Sequence, residues 1–129
     1  MIGIWSSYSQ DFLLWLVIAT TLVFALPIFL VPLLWARLMG WKIPEETHLA
    51  IYFGRCLGAF ILIIEALMLR AALTGEALVV AFEALGAVAL LMVLVHVYGA
   101  IRRIQPLSET LEILMYSGMF ALVVLFWPA

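Results

Sequence analysis

Residues 51–70 read IYFGRCLGAFILIIEALMLR. A helix needs about 20 mostly apolar residues to cross the hydrocarbon core of a bilayer, and this stretch supplies them while carrying Arg55, Cys56 and Glu65 inside it. The rest of the chain has the same character. Of its 129 residues 68% are hydrophobic and 11% charged, with a mean hydropathy of +1.27, whereas a soluble domain carries roughly a quarter charged residues. Four apolar runs of spanning length leave nothing over for a soluble domain, so residues 1–129 read as one all-α integral membrane domain, an up-down-up-down four-helix bundle with spans near 12–36, 46–70, 77–100 and 110–127.

Outward from the second span, the punctuation is set by proline and glycine. The first span carries Pro27 and Pro32, each of which removes a backbone donor and is expected to kink the helix. In the connector ARLMGWKIPEETH, Gly40 suits a helix C-cap, and Pro44 followed by Glu45 and Glu46 suits a first turn,. The second helix is therefore expected to begin near Pro44. Thr74, with Gly75 and Glu76 behind it, reads as the N-cap of the third helix,. So short a turn makes the second and third spans an antiparallel hairpin. Arg102 and Arg103 end the third span, and Pro106 and Ser108 supply turn and cap before the fourth,.

Basic residues near the ends of short loops set orientation. Arg37, Lys42, Arg102 and Arg103 flank the first and third connectors, against Arg70 alone on the other side. Both termini are expected outside and those two connectors in the cytoplasm of a bacterial inner membrane. Trp35 and Trp41 then fall at the inner interface, and Trp5, Tyr8 and Trp127 at the outer one, as amphipathic rings do. The first apolar run is too long for a signal peptide and ends without a small-residue cleavage site, so it reads as a retained helix. A net charge of −2 without a basic stripe excludes nucleic acid as an expected partner,. The expected partners are the lipid bilayer and other membrane proteins or further copies of this chain.

Within the second span, Gly54 and Gly58 form a GxxxG, which lets another helix backbone approach closely,. Glu65 follows Gly58 by seven positions and so points within about 20° of it, toward protein. Cys56 reads as a small packing residue. Glu83 of the third span lies at a depth similar to Glu65, each about 7–10 Å from the same end. Two carboxyls at one level inside a membrane suit a shared proton, a cation, or a quinone or proton pathway; equally, each suits a neutral carboxyl bonded to nearby backbone. Arg55 completes this candidate proton or ligand site and calls for a counter-charge, with Glu112 at the start of the fourth span as the candidate partner,. His48 and His96 lie at the same end of the bundle and are the candidate metal or haem ligands, with interfacial hydrogen bonding as the ordinary alternative,. The chain carries no repeated Glu-x-x-His pair, P-loop, nucleophile elbow or zinc-protease motif,. No cofactor is called for, haem and quinone staying open.

Four features carry a resemblance: LLWARLMGW (Leu33–Trp41) after a proline-bearing first helix, YFGRCLGA (Tyr52–Ala59), the helix end ALMLRAAL, and a short fourth span. In these the chain resembles the DoxX-like superfamily in the broad sense, a loose group of small bacterial four-helix membrane proteins. The resemblance implies a four-helix membrane fold and, through some members, a redox or quinone-linked role. Arg55 and Gly58 are the matching positions; the glycine-rich start and internal lysine of the better-known first helices are absent.

Two functions are expected on these grounds. One is an accessory subunit that packs its helices into a larger respiratory or photosynthetic membrane complex, or into a homo-oligomer. The other is a small transporter, channel or quinone-linked redox protein using Glu65 and Glu83 with Arg55. An enzymatic role has the least support.

Overall fold

The computed structural model describes every residue from Met1 to Ala129, and the chain is helical without strands. Four helices are long and apolar enough to cross a membrane: Ser6–Leu30, His48–Thr74, Leu78–Arg102 and Leu107–Leu125. The first is composite. After a 3-10 turn, α1 (Ser9–Thr20) passes through a π turn, Thr21–Ala25, into α2 (Leu26–Leu30). The following helices are α3 (Pro32–Leu38), α4 (His48–Thr74), α5 (Leu78–Arg102) and α6 (Leu107–Leu125).

The first span therefore ends at Leu30, short of the expected 36, because Val31 leaves the helical region at φ −136° and ψ 60°. A residue preceding proline is pushed out of that region by the ring, and Pro32 then opens α3 at its first position,. Pro27 stays inside the span. It lacks the N–H that the Val23 carbonyl would accept in an α-helix, and the Trp35 indole N–H fills that place at 2.9 Å.

Gly40 closes α3. Its φ of +85° is left-handed, and the Trp41 N–H reaches the Ala36 carbonyl at 3.0 Å, a Schellman closure. The second long helix starts at His48 rather than near Pro44, and Pro44–Glu46 lie in the connector. Gly75 belongs to the end of α4, with φ +74° and its N–H on the Ala71 carbonyl. Thr74 is thus the last residue of α4 rather than the cap of the next helix, and Arg70 and Glu76 pair across this turn at 2.7 Å. Ser108 also departs from the expected cap: it sits inside α6 and its hydroxyl donates to the Met39 carbonyl of the first connector.

Contacts fix the neighbours. Along the first span and α4, residue numbers rise in one as they fall in the other: Gln10 donates to the Ala72 carbonyl at 2.9 Å, Thr20 meets Glu65 at 2.6 Å, and a Cβ at Gly58 would lie 2.5 Å from the Phe29 nitrogen. The two helices are antiparallel. The same holds for α5 and α6, where Gly86 faces Val123 and Phe120 and His96 faces Glu109. The apolar core, which includes Leu13, Val17, Met68, Phe82, Leu85 and Val123, lies toward the chain termini. There the segment before α1 is laced to the C-terminal end of α6: the Gly3 N–H reaches the Val124 carbonyl and the Trp5 N–H the Leu125 carbonyl. Large apolar side chains such as Trp15, Phe60 and Leu114 point outward, a surface compatible with lipid.

Candidate functional site

The polar residues that the fold gathers come from α5, α6 and the first connector. Across the short α5–α6 turn, His96 on α5 meets Glu109 and Glu112, three residues apart on α6 and so on one face,. All three are buried. His96 Nε2 lies 3.0 Å from Glu109 Oε2 and 3.2 Å from Glu112 Oε2. The ring's other nitrogen, Nδ1, lies 2.7 Å from the Met92 carbonyl oxygen. A carbonyl only accepts, so Nδ1 carries the hydrogen. Nε2 thus faces two carboxylate oxygens, an arrangement that needs a positive charge or a proton between them.

Further groups hold this cluster. The Trp41 indole N–H donates to Glu109 Oε1 at 2.8 Å. The Gln105 amide donates toward the His96 carbonyl at 2.9 Å and Thr110 Oγ1 at 3.0 Å, and Gly99 leaves the space for it, since a Cβ there would collide with Gln105 Oε1. The Tyr116 ring lies against the imidazole, centroids 5.3 Å apart. One atom is left over: Glu112 Oε1 is buried without a hydrogen-bond partner.

His96, Glu109, Glu112 and Tyr116 line one end of a cavity of about 740 Å³. Apolar side chains of α1, α2, α4 and α5 form most of its wall, and Glu65 lines it at the level of Thr20. Thr20 Oγ1 lies 2.6 Å from Glu65 Oε1 and 2.7 Å from the Leu16 carbonyl, while Glu65 Oε2 is buried without a partner.

The expected site residues are dispersed differently from the sequence reading. Glu65 is buried, but Glu83 is exposed on the outer side of α5, so the two carboxyls do not share an enclosed site. Helical phase decides this: Phe82 is wholly buried, and Glu83 is turned about 100° away from it. Arg55 is exposed and makes no ion pair; Glu112, its expected partner, faces His96 instead. His48 is exposed at the start of α4. His96 meets Met92 and the two glutamates instead, and His48 is not among the groups gathered with it, so the two histidines do not share a haem or metal. Gly54 and Gly58 do accept a close neighbour, and it is this chain's own: a Cβ on Gly54 would lie 2.6 Å from the Pro32 ring, and one on Gly58 2.6 Å from the Phe29 Cα.

Glu109 carries no site expectation from the sequence, and Glu112 carries one only as a partner for Arg55. The signal was their placement about the α5–α6 turn: in an antiparallel pair, His96 and the Glu109-x-x-Glu112 repeat lie at similar distances from Arg103. Comparison with family models, with curated proteins and with solved structures finds no match to this chain.

Proposed function

We propose that the chain is a membrane-embedded binding protein for a small lipophilic molecule bearing a polar group, the chemical class to which quinones belong, with the His96–Glu109–Glu112 cluster as the polar end of its site. The observation that carries this reading is the cavity of about 740 Å³, apolar along its length, with that cluster at one end and Glu65 on its wall. Ligand pockets have this size and composition, a few convergent polar groups fixing orientation inside an apolar wall. Ionisable groups inside a membrane bundle are costly unless a function retains them. In this reading Glu65 remains part of a ligand site, His96 joins it in place of the metal or haem role expected with His48, and Glu109 and Glu112 take the place of Glu83 and Arg55.

The helices cross the bilayer of a bacterial inner membrane in this reading, with the basic ends of the first and third connectors in the cytoplasm and the cluster near that face. Ile61 lines the cavity, and Ile61→Trp fills it. Organic extracts of the gently solubilised chain, analysed by mass spectrometry, are expected to contain one lipophilic compound near stoichiometric amount that Ile61→Trp loses. Equal content in both proteins, or none in either, sinks the reading.

Accessory packing into a larger membrane complex is the second proposal, and the broad outward-facing apolar surface favours it. Its glycine face is already covered by Phe29 and Pro32, which leaves the outer surface to make the contact. Migration of the natively solubilised protein alone, or only with copies of itself, rules this reading out.

A further inference from the structure

We infer that His96, Glu109 and Glu112 form a three-ligand site for one divalent first-row transition-metal cation of the Zn²⁺ type, open on its remaining side to the cavity. The inference does not rest on the lipophilic-ligand reading, because the ligating atoms come from the chain alone.

Three observations point the same way. The first is geometric. Ligand atoms about 2.0–2.1 Å from a cation stand roughly 2.9–3.6 Å apart at angles of 90–120°. Here His96 Nε2 stands 3.0 and 3.2 Å from the two carboxylate oxygens, and one ligand atom from each of the three residues lies within 4.8 Å of the others. The two imidazole–carboxylate spacings fall inside that range.

The second is the support around the ligands. A metal-binding imidazole normally donates its far N–H to a carbonyl or carboxylate, which fixes the tautomer and aims the lone pair. Met92 does this for His96 at 2.7 Å, and Trp41 orients Glu109 by donating to its second oxygen at 2.8 Å. The donor left over, Glu112 Oε1, belongs to a side chain that is 9% exposed. Among its neighbours no hydrogen donor satisfies it; a second bond to a cation does.

The third is charge. With both carboxyls ionised, a proton on Nε2 leaves two carboxylates against one imidazolium, a net negative charge in an apolar bundle. A divalent cation with a neutral imidazole and the same two carboxylates is neutral overall, which removes most of the cost of burying them. Two carboxylates and one imidazole suit Zn²⁺, Fe²⁺ or Mn²⁺ rather than a thiolate-seeking ion.

The test uses the full chain in mild detergent, stripped with EDTA and titrated with Zn²⁺ by calorimetry. One equivalent is expected to bind. Glu112→Gln, Glu109→Gln and His96→Gln are each expected to weaken binding by at least about 10-fold, and Trp41→Phe by about 10-fold. His48→Gln and alkylation of Cys56 leave it unchanged, and Ile61→Trp, which removes the lipophilic ligand, retains the cation. Wild-type protein that takes up no stoichiometric Zn²⁺ overturns the inference even if none of the cluster variants folds. So does binding that survives Glu112→Gln in folded protein, or that disappears with His48→Gln or Cys56 alkylation.

Discussion

Thr20 and Glu65 meet across two antiparallel helices at 2.6 Å, and the same threonine oxygen lies 2.7 Å from the Leu16 carbonyl. A hydroxyl has one proton, so it satisfies both acceptors only when the carboxyl supplies a proton of its own. Glu65→Gln, whose amide can donate to Thr20, is expected to fold with stability within about 0.5 kcal/mol of the wild type. Thr20→Val takes this hydroxyl from Glu65 and is expected to cost about 1–3 kcal/mol. Thermal unfolding in detergent, followed by circular dichroism, separates the two; a Glu65→Gln loss as large as that of Thr20→Val refutes this account.

Gly58 is expected to be the least replaceable glycine. A methyl group there lies 2.5–2.7 Å from the nitrogen, Cα and Cβ of Phe29; the first two are backbone and cannot swing aside. Gly58→Ala should cost about 1–3 kcal/mol or more through overpacking. Gly118 has nothing within 4 Å of the added carbon, and Gly118→Ala should be neutral or slightly stabilising in a helix interior. Equal midpoints for the two variants would show that α2 and α4 do not pack this closely.

The indole of Trp41 reaches from the first connector to a carboxylate on α6. Trp41→Phe keeps an aromatic side chain and removes the donor, leaving Glu109 Oε1 unpartnered at an expected cost of about 1–3 kcal/mol. Hydrogen exchange should show the loss locally, as faster exchange at the start of α6. Unchanged protection there counts against the tie.

Arg55 and Glu83 are expected to be dispensable for folding. Both are exposed and neither forms an ion pair within the chain, so Arg55→Gln and Glu83→Gln should each change stability by less than about 0.5 kcal/mol. A severe loss from Arg55→Gln alone would mean that the guanidinium has a partner outside this chain.

The four spans were legible because length and hydropathy are enough to mark a membrane helix, and the seven-residue offset from Gly58 placed Glu65 on the inner side of α4. Helix ends were less so. Val31 and Gly75 depend on which side of a proline or glycine the helix stops, and the depth of Glu83 says nothing of the direction it faces one residue after Phe82. The cluster is a property of a pair of helices: the partners of His96 are two glutamates mirrored across the α5–α6 turn rather than the other histidine. Nothing local to the Glu109 sequence marks it, since an acidic residue in a first helical turn is ordinary.

Hydrogen bonds tie the elements together at both ends of the bundle. At one, Gly3, Trp5 and Ser9 hold the last turn of α6 while Gln10 holds the end of α4; at the other, Ser108 and Trp41 bind α6 to the first connector. The cavity lies between these seams, and α4 and α5 touch only sparingly along it. On the proposed reading, a guest would reach the cavity sideways, from among the acyl chains, and the surrounding lipids rather than the water on either side would set what the site samples.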